Sequence, residues 1–100
     1  MIHLHIVLSH DAMEVAELPD FLRHVEATVP AAGIEGVVIS GRMPIWAFAA
    51  LTCLYHSRPW VATLEPRVDG GVVVASHDRI VAVGDIVHVP AGAIYYEVEF

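Results

Sequence analysis

Six side chains in the middle of the chain have types and spacings suited to phosphate chemistry: Ser40, Arg42, His56, Glu65, Arg67 and His77. His56 and Glu65 stand nine residues apart, on either side of Arg58-Pro59. A neutral imidazole and a carboxylate together suit manganese or another divalent ion, and either group can serve as acid or base. Arg67, two residues beyond Glu65, could balance charge on a phosphate in a transition state. Ser40-Gly41-Arg42 runs through Pro44 into an apolar helix. There the free N–H groups of the helix start and the adjacent Arg42 would attract a phosphate, and Gly41 would let the backbone approach closely. On spacing alone a plainer reading weighs more. In it His56 caps the end of a helix, Glu65 pairs with Arg67 on the surface, and Ser40-Gly41-Arg42 is an ordinary strand-to-helix turn. Neither a GxGxxG run nor a Walker lysine is present, which argues against an ordinary dinucleotide or P-loop site.

These residues need elements to position them. Gly36 to Ile39 reads as a short strand, Ile45 to Tyr55 as an apolar helix with Pro44 at its first position, and Trp60 to Leu64 as a second strand. Together they form a βαβ unit, whose crossover is right-handed in nearly all cases. Upstream, Ile2, Leu4, Ile6 and Leu8 alternate with His3 and His5, the period of a half-buried strand. His3 and His5 share a face, where they could form a metal pair; solvent-facing or interface histidines is the more ordinary reading. Ser9-His10-Asp11 ends that strand where a ligand would sit if the sheet is doubly wound. Ala12 to Val29 has helical spacing, with Pro19 in the first turn of the helix proper and Pro30-Ala31-Ala32-Gly33 as its breaker. Downstream, Val72 to Ala75, Ile80 to Val83 and Asp85 to Val89 read as strands, the last two as a hairpin about Gly84. Ile94 to Phe100 is suited to a last edge strand or to pairing with another subunit. The order β-α-β-α-β-β-β(-β) predicts a single α/β domain over residues 1–100, with a mixed sheet of parallel core and antiparallel end strands.

The hydrophobic fraction is 56%, above the usual roughly 45–50%. The densest block is too short for a membrane span, which needs about 18 apolar residues, and the N-terminus has no export-signal pattern. The excess therefore predicts a cytoplasmic homo-oligomer. Five arginines, no lysine and twelve acids give a net charge of −7, which excludes non-specific binding of DNA or other long nucleic acid but leaves a small anion if the arginines converge. The single Cys53 excludes an intrachain disulfide and reads as a buried structural thiol.

GVVISGRMPIW, LYHSRPWVATLEPR, GGVVVASH and DIVHV resemble the third of the Csx accessory families of type III CRISPR systems, over roughly Gly36 to Val89. The resemblance implies a small relative of the CRISPR-associated Rossmann domains. It implies a ring nuclease that cuts cyclic tetra-adenylate with manganese, with trimming of linear RNA from its 3′ end as a related activity. Residue by residue, it places the catalytic and metal-binding histidine at His56, the catalytic acid at Glu65 and the arginine at Arg67. It places ligand-facing groups at Ser40 and Arg42 and the histidine of the Ser-His pair at His77. Where the family carries aspartate, this chain has Glu65, one methylene longer. A non-catalytic sensor of the same ring is the alternative.

The βαβ geometry carries a further expectation. Ser40, Arg42, Glu65 and Arg67 fall at the carboxyl edge of the sheet and His56 at the other, roughly 20 Å away. One metal bound by both His56 and Glu65 would then need two subunits meeting head to tail around the ring, as a tetramer of two dimers or as a filament.

Overall fold

The computed structural model describes residues 1–10 and 13–100; Asp11 and Ala12, included above in a strand end and a helix start, lie outside the described residues. The alternating first stretch forms β1 (Ile2–Val7), with Ile2, Leu4 and Ile6 buried and His3, His5 and Val7 half-buried on the opposite side. A single 3-10 turn at Val15–Glu17 leads into α1 (Leu18–Thr28), with Pro19 in its first turn. Phe21 and Val25, four residues apart, give α1 its buried stripe. β2 (Val37–Gly41) is buried on both faces over its first four residues, as suits a central parallel strand. α2 (Ile45–Leu54) begins one place later than the proline suggests. Pro44 has an extended ψ of 151° and is the N-cap, its carbonyl accepting from the Ala47 and Phe48 N–H groups.

β3 (Trp60–Glu65), β4 (Gly70–Ser76), β5 (Ile86–Val87) and β6 (Ile94–Glu99) complete one six-stranded sheet in the order β5-β4-β3-β2-β1-β6. β6, β1, β2 and β3 are parallel, and β4 and β5 are antiparallel at one end. The expected element order and mixed sheet are therefore both present. Two local expectations differ. Ile80–Val83 is not a strand, because side chains satisfy its backbone instead: Asp78 accepts from Val81 N–H, and Asp85 accepts from Ala82 N–H. The Ser76 hydroxyl likewise donates to the Val81 carbonyl, and such local bonds compete directly with strand pairing. Nor is the sheet doubly wound. Phe21, Val25, Ala47, Leu51 and Tyr55 pack with Ile2, Leu4, Ile6, Val37, Ile39, Val61 and Val98 in one cluster on one face. The second cluster (Val38, Trp60, Ala62 and Val73) lies on the other face and draws its cover from Val81, Val87 and Val89, not from a helix.

One arginine is structural. Arg58 is 4% exposed, donates from Nη2 to the Pro30 carbonyl at 2.6 Å and lies over the Tyr55 ring at 5.9 Å. The Tyr55 hydroxyl donates to the Val29 carbonyl at 2.8 Å, so the two side chains tie the end of α2 to the end of α1. Cys53, expected to be buried, is exposed instead, because α2 turns that side of its surface away from the core.

Candidate functional site at the carboxyl edge

Gly41 sets the position of the first functional group. Its φ is +132°, and a Cβ there would lie 2.4 Å from the Ile6 carbonyl oxygen, so only glycine lets the end of β2 run this close to β1. The chain then swings outward, leaving Arg42 exposed with no ion-pair partner among the described residues. Arg42 borders an open depression of about 340 Å³, lined also by Val7, Leu8, Ser9 and His10. The Ser9 hydroxyl donates to the Phe100 carbonyl at 2.9 Å, which fixes its orientation at the rim.

Glu65 ends β3 on the same edge and caps the 3-10 turn Pro66–Val68. Its carboxylate accepts from Arg67 Nε at 2.8 Å, from Arg67 Nη2 and, more distantly, from the Arg67 backbone N–H. These hydrogen bonds from Arg67, with its charge, hold the Glu65 carboxyl below its ordinary value, and Glu65 raises the guanidinium in return. A second depression of about 330 Å³ opens beside the pair, lined by Leu64, Pro66, Asp69, Gly70, His88 and Val89. His88, whose Nδ1 lies 3.0 Å from the accepting Asp69 carbonyl, belongs to this edge and was not singled out by its sequence context.

His56 and His77 occupy the opposite edge. His56 follows α2 with Nδ1 2.9 Å from the Cys53 carbonyl, the helix-end role of the plainer reading. His77 is tethered by its N–H to the Pro59 carbonyl, just ahead of β3. Both are exposed.

Ser40 stands apart from its neighbours in sequence. Its side chain points to the helix-free face, is 5% exposed, and has His3 Nε2 and His5 Nδ1 each 2.8 Å from Oγ. One hydroxyl proton can reach only one acceptor, so at least one of the two rings donates its N–H to Ser40 Oγ. His3 and His5 are thus inward-facing partners of a serine, not a solvent-facing pair. Burial, and secondarily the charge of His5, push the His3 imidazole below its ordinary value. The strand alternation from Val38 would have placed Ser40 on this face.

The arginines do not converge. Arg23 pairs with Asp20, Arg58 is buried, Arg67 holds Glu65, and Arg42 and Arg79 are exposed without ion pairs among the described residues. No group of three or more metal-ligating side chains occurs among the described residues. Glu65 is the last of the six residues of β3, and the turn holding His56 precedes the first, so roughly 20 Å of extended chain lies between them and these two residues of one chain do not fit a single ion.

The fold is that of a small α/β domain with a mixed six-stranded sheet and two helices, its exposed arginine and its Glu–Arg pair at the carboxyl ends of parallel strands. The family model described as CRISPR-associated protein (Cas_csx3) matches residues 8–88, and the chain belongs to that family. It is also 41% identical over 51 residues to an uncharacterized protein of Aquifex aeolicus (strain VF5). That match covers 51% of this chain and 46% of the relative, so the chain spans about half the length of the curated relative it matches. No helix among the described residues is long and apolar enough to cross a membrane.

Proposed function

We propose that the chain is a ring nuclease that binds and cleaves cyclic tetra-adenylate and so switches off type III CRISPR signalling. The observation that carries the reading is the exposed Arg42 beside the Ser9–His10 depression, on the same edge as Glu65–Arg67, in a chain of a CRISPR-associated family. A small ring with a few phosphates suits this edge better than long RNA, because five arginines that do not converge release few counterions and the chain as a whole is acidic. In this reading Ser9, Gly41 and Arg42 hold phosphate and ribose oxygens. Ser40 acts indirectly, by fixing the backbone of the turn through His3 and His5.

The reacting groups are Glu65 and Arg67 from one copy and His56, with His77 beside its edge, from another copy meeting it head to tail. Arg67 balances phosphate charge, and His56 or Glu65 moves the proton. A divalent ion, manganese in the proposal, would belong to this assembled site and not to a single chain. Two dimers closing on the ring, or a filament, would supply both edges.

A second reading is favoured by one observation: His56 and Glu65 are separated within the chain, which is what a sensor that holds the ring without cutting it would also show. Incubation with cyclic tetra-adenylate and manganese separates the two. Short linear adenylates that disappear with EDTA are expected; tight binding without turnover in several divalent metals would establish the sensor.

A further inference from the structure

The two depressions along the carboxyl edge differ in the charge of their linings. The first has Arg42. The second, of about 330 Å³, has no cation in its lining: Leu64, Pro66 and Val89 are apolar, and Asp69 and His88 are the polar side chains. Arg67 of the same turn is paired with Glu65. A phosphate placed there would meet the Asp69 carboxylate with nothing to offset the repulsion. An uncharged ligand fits instead, since apolar walls with a few placed polar atoms are the usual make-up of a small-molecule site.

Both polar groups are set as acceptors. The Asp69 carbonyl can only accept, so His88 Nδ1, 3.0 Å away, carries the ring hydrogen. In the neutral ring Nε2 then keeps its lone pair. Asp69 is the one non-glycine residue of positive φ among the described residues, at 51°, a conformation that Asp and Asn adopt more readily than most side chains. It is exposed and enters no ion pair among the described residues. Gly70 must be bare: a Cβ there would lie 2.7 Å from the Val87 carbonyl oxygen, pushing β4 off β5 and Asp69 away from His88. The apolar wall belongs to the helix-free face. Leu64 falls two residues after Ala62, and Val89 packs on the cluster of that face.

We infer that the second depression is a nucleobase subsite that takes an adenine, leaving phosphates to the arginines. Two acceptors require a ligand edge that brings N–H groups, and the exocyclic amine of adenine is such an edge. Leu64, Pro66 and Val89 supply apolar surface for the flat ring. The choice of adenine among bases that carry an amine rests on the ring-nuclease reading; the need for an N–H donor does not. The depressions lie at the ends of β1 and of β3 and β4, two to three strand spacings or roughly 10–15 Å apart. One ring of several nucleotides can therefore set a phosphate at Arg42 and a base against Asp69 and His88.

The test uses the full chain and three nucleosides without phosphate: adenosine, purine riboside, which lacks the amine, and guanosine. Nuclear magnetic resonance titrations at millimolar concentration should show adenosine moving the His88 ring signals and binding roughly tenfold more tightly than purine riboside. Asp69→Asn keeps a residue suited to the positive φ and replaces the carboxylate by an amide. His88→Asn keeps a donor for the Asp69 carbonyl and removes Nε2. In each variant the preference for adenosine should fall towards one, while purine riboside binds within about twofold of wild type. Equal loss of both nucleosides would assign the two residues to structure alone and overturn the subsite. Unmoved His88 signals in wild type, or guanosine bound as tightly as adenosine, would also overturn it. A chain with the adenosine preference that neither binds nor cuts cyclic tetra-adenylate loses the proposed function and keeps the subsite. A chain that cuts the ring yet takes adenosine and purine riboside alike loses the subsite alone.

Discussion

His56 stands just ahead of β3 and Glu65 is the last residue of that strand, so the two face opposite edges of one sheet. Any chemistry using both must join two copies of the chain. Mixing His56→Ala with Glu65→Ala protein should then restore activity that neither has alone, because some contacts pair an intact His56 edge with an intact Glu65 edge. Both residues lie outside the core, so the variants should fold. No recovery on mixing, with assembly unchanged, would dismiss the shared site.

Binding and turnover should separate by residue. If the proposed site is right, Arg42→Ala removes a charge-assisted phosphate contact, worth about 1.5–3 kcal/mol, or about 10- to 150-fold in affinity for the ring. Glu65→Ala should weaken binding much less and turnover more. Isothermal titration beside single-turnover assays measures both; equal loss of affinity in the two variants would refute the division.

The His3–Ser40–His5 cluster should make folding acid-sensitive. The folded value of His3 is depressed, so the unfolded chain binds the proton more readily. Stability is full above the unfolded value of roughly 6.5 and falls as pH drops below it, until His3 protonates in the folded state. Tyr95, edge-on to His3 at 5.2 Å, donates to Glu97 and leaves that carboxylate on the same face. Urea midpoints measured across this range should fall less steeply for His3→Gln than for wild type; identical slopes would assign the sensitivity elsewhere.

Gly41→Ala should cost stability even in the absence of ligand. The new Cβ would meet the backbone oxygen of Ile6, which cannot rotate aside, and the positive φ adds strain. A loss of about 1–3 kcal/mol is expected, with the melting temperature falling roughly 4–8 °C for each kcal/mol. An unchanged melting temperature would show that the turn can relax.

Much of this layout was legible because it is periodic. The alternation Ile2-Leu4-Ile6 and the Phe21–Val25 stripe report their own faces, and the element order follows from them. Parallel pairing of β6 with β1 was not legible, since it joins segments more than ninety residues apart and leaves no local mark. The Ile80–Val83 run misled because Asp78 and Asp85 offer its backbone partners outside any strand. At the site, Arg42, Glu65 and Arg67 fall where the βαβ unit places them. The burial of Arg58 was hidden, because it depends on a carbonyl at Pro30 that only the folded chain brings near.

The two margins of the sheet are unequal. β5 offers two residues, while β6 offers six, at the end of the sheet. A long margin with free backbone groups is a template for strand addition by another chain, and side-chain charge is one defence against it. Glu97 and Glu99 supply that defence along β6, where Ile94 and Tyr95 are also exposed. Neutralising those two carboxylates in acid would remove the guard, so aggregation by strand addition at this margin would begin while the core beneath α1 and α2 was still closed.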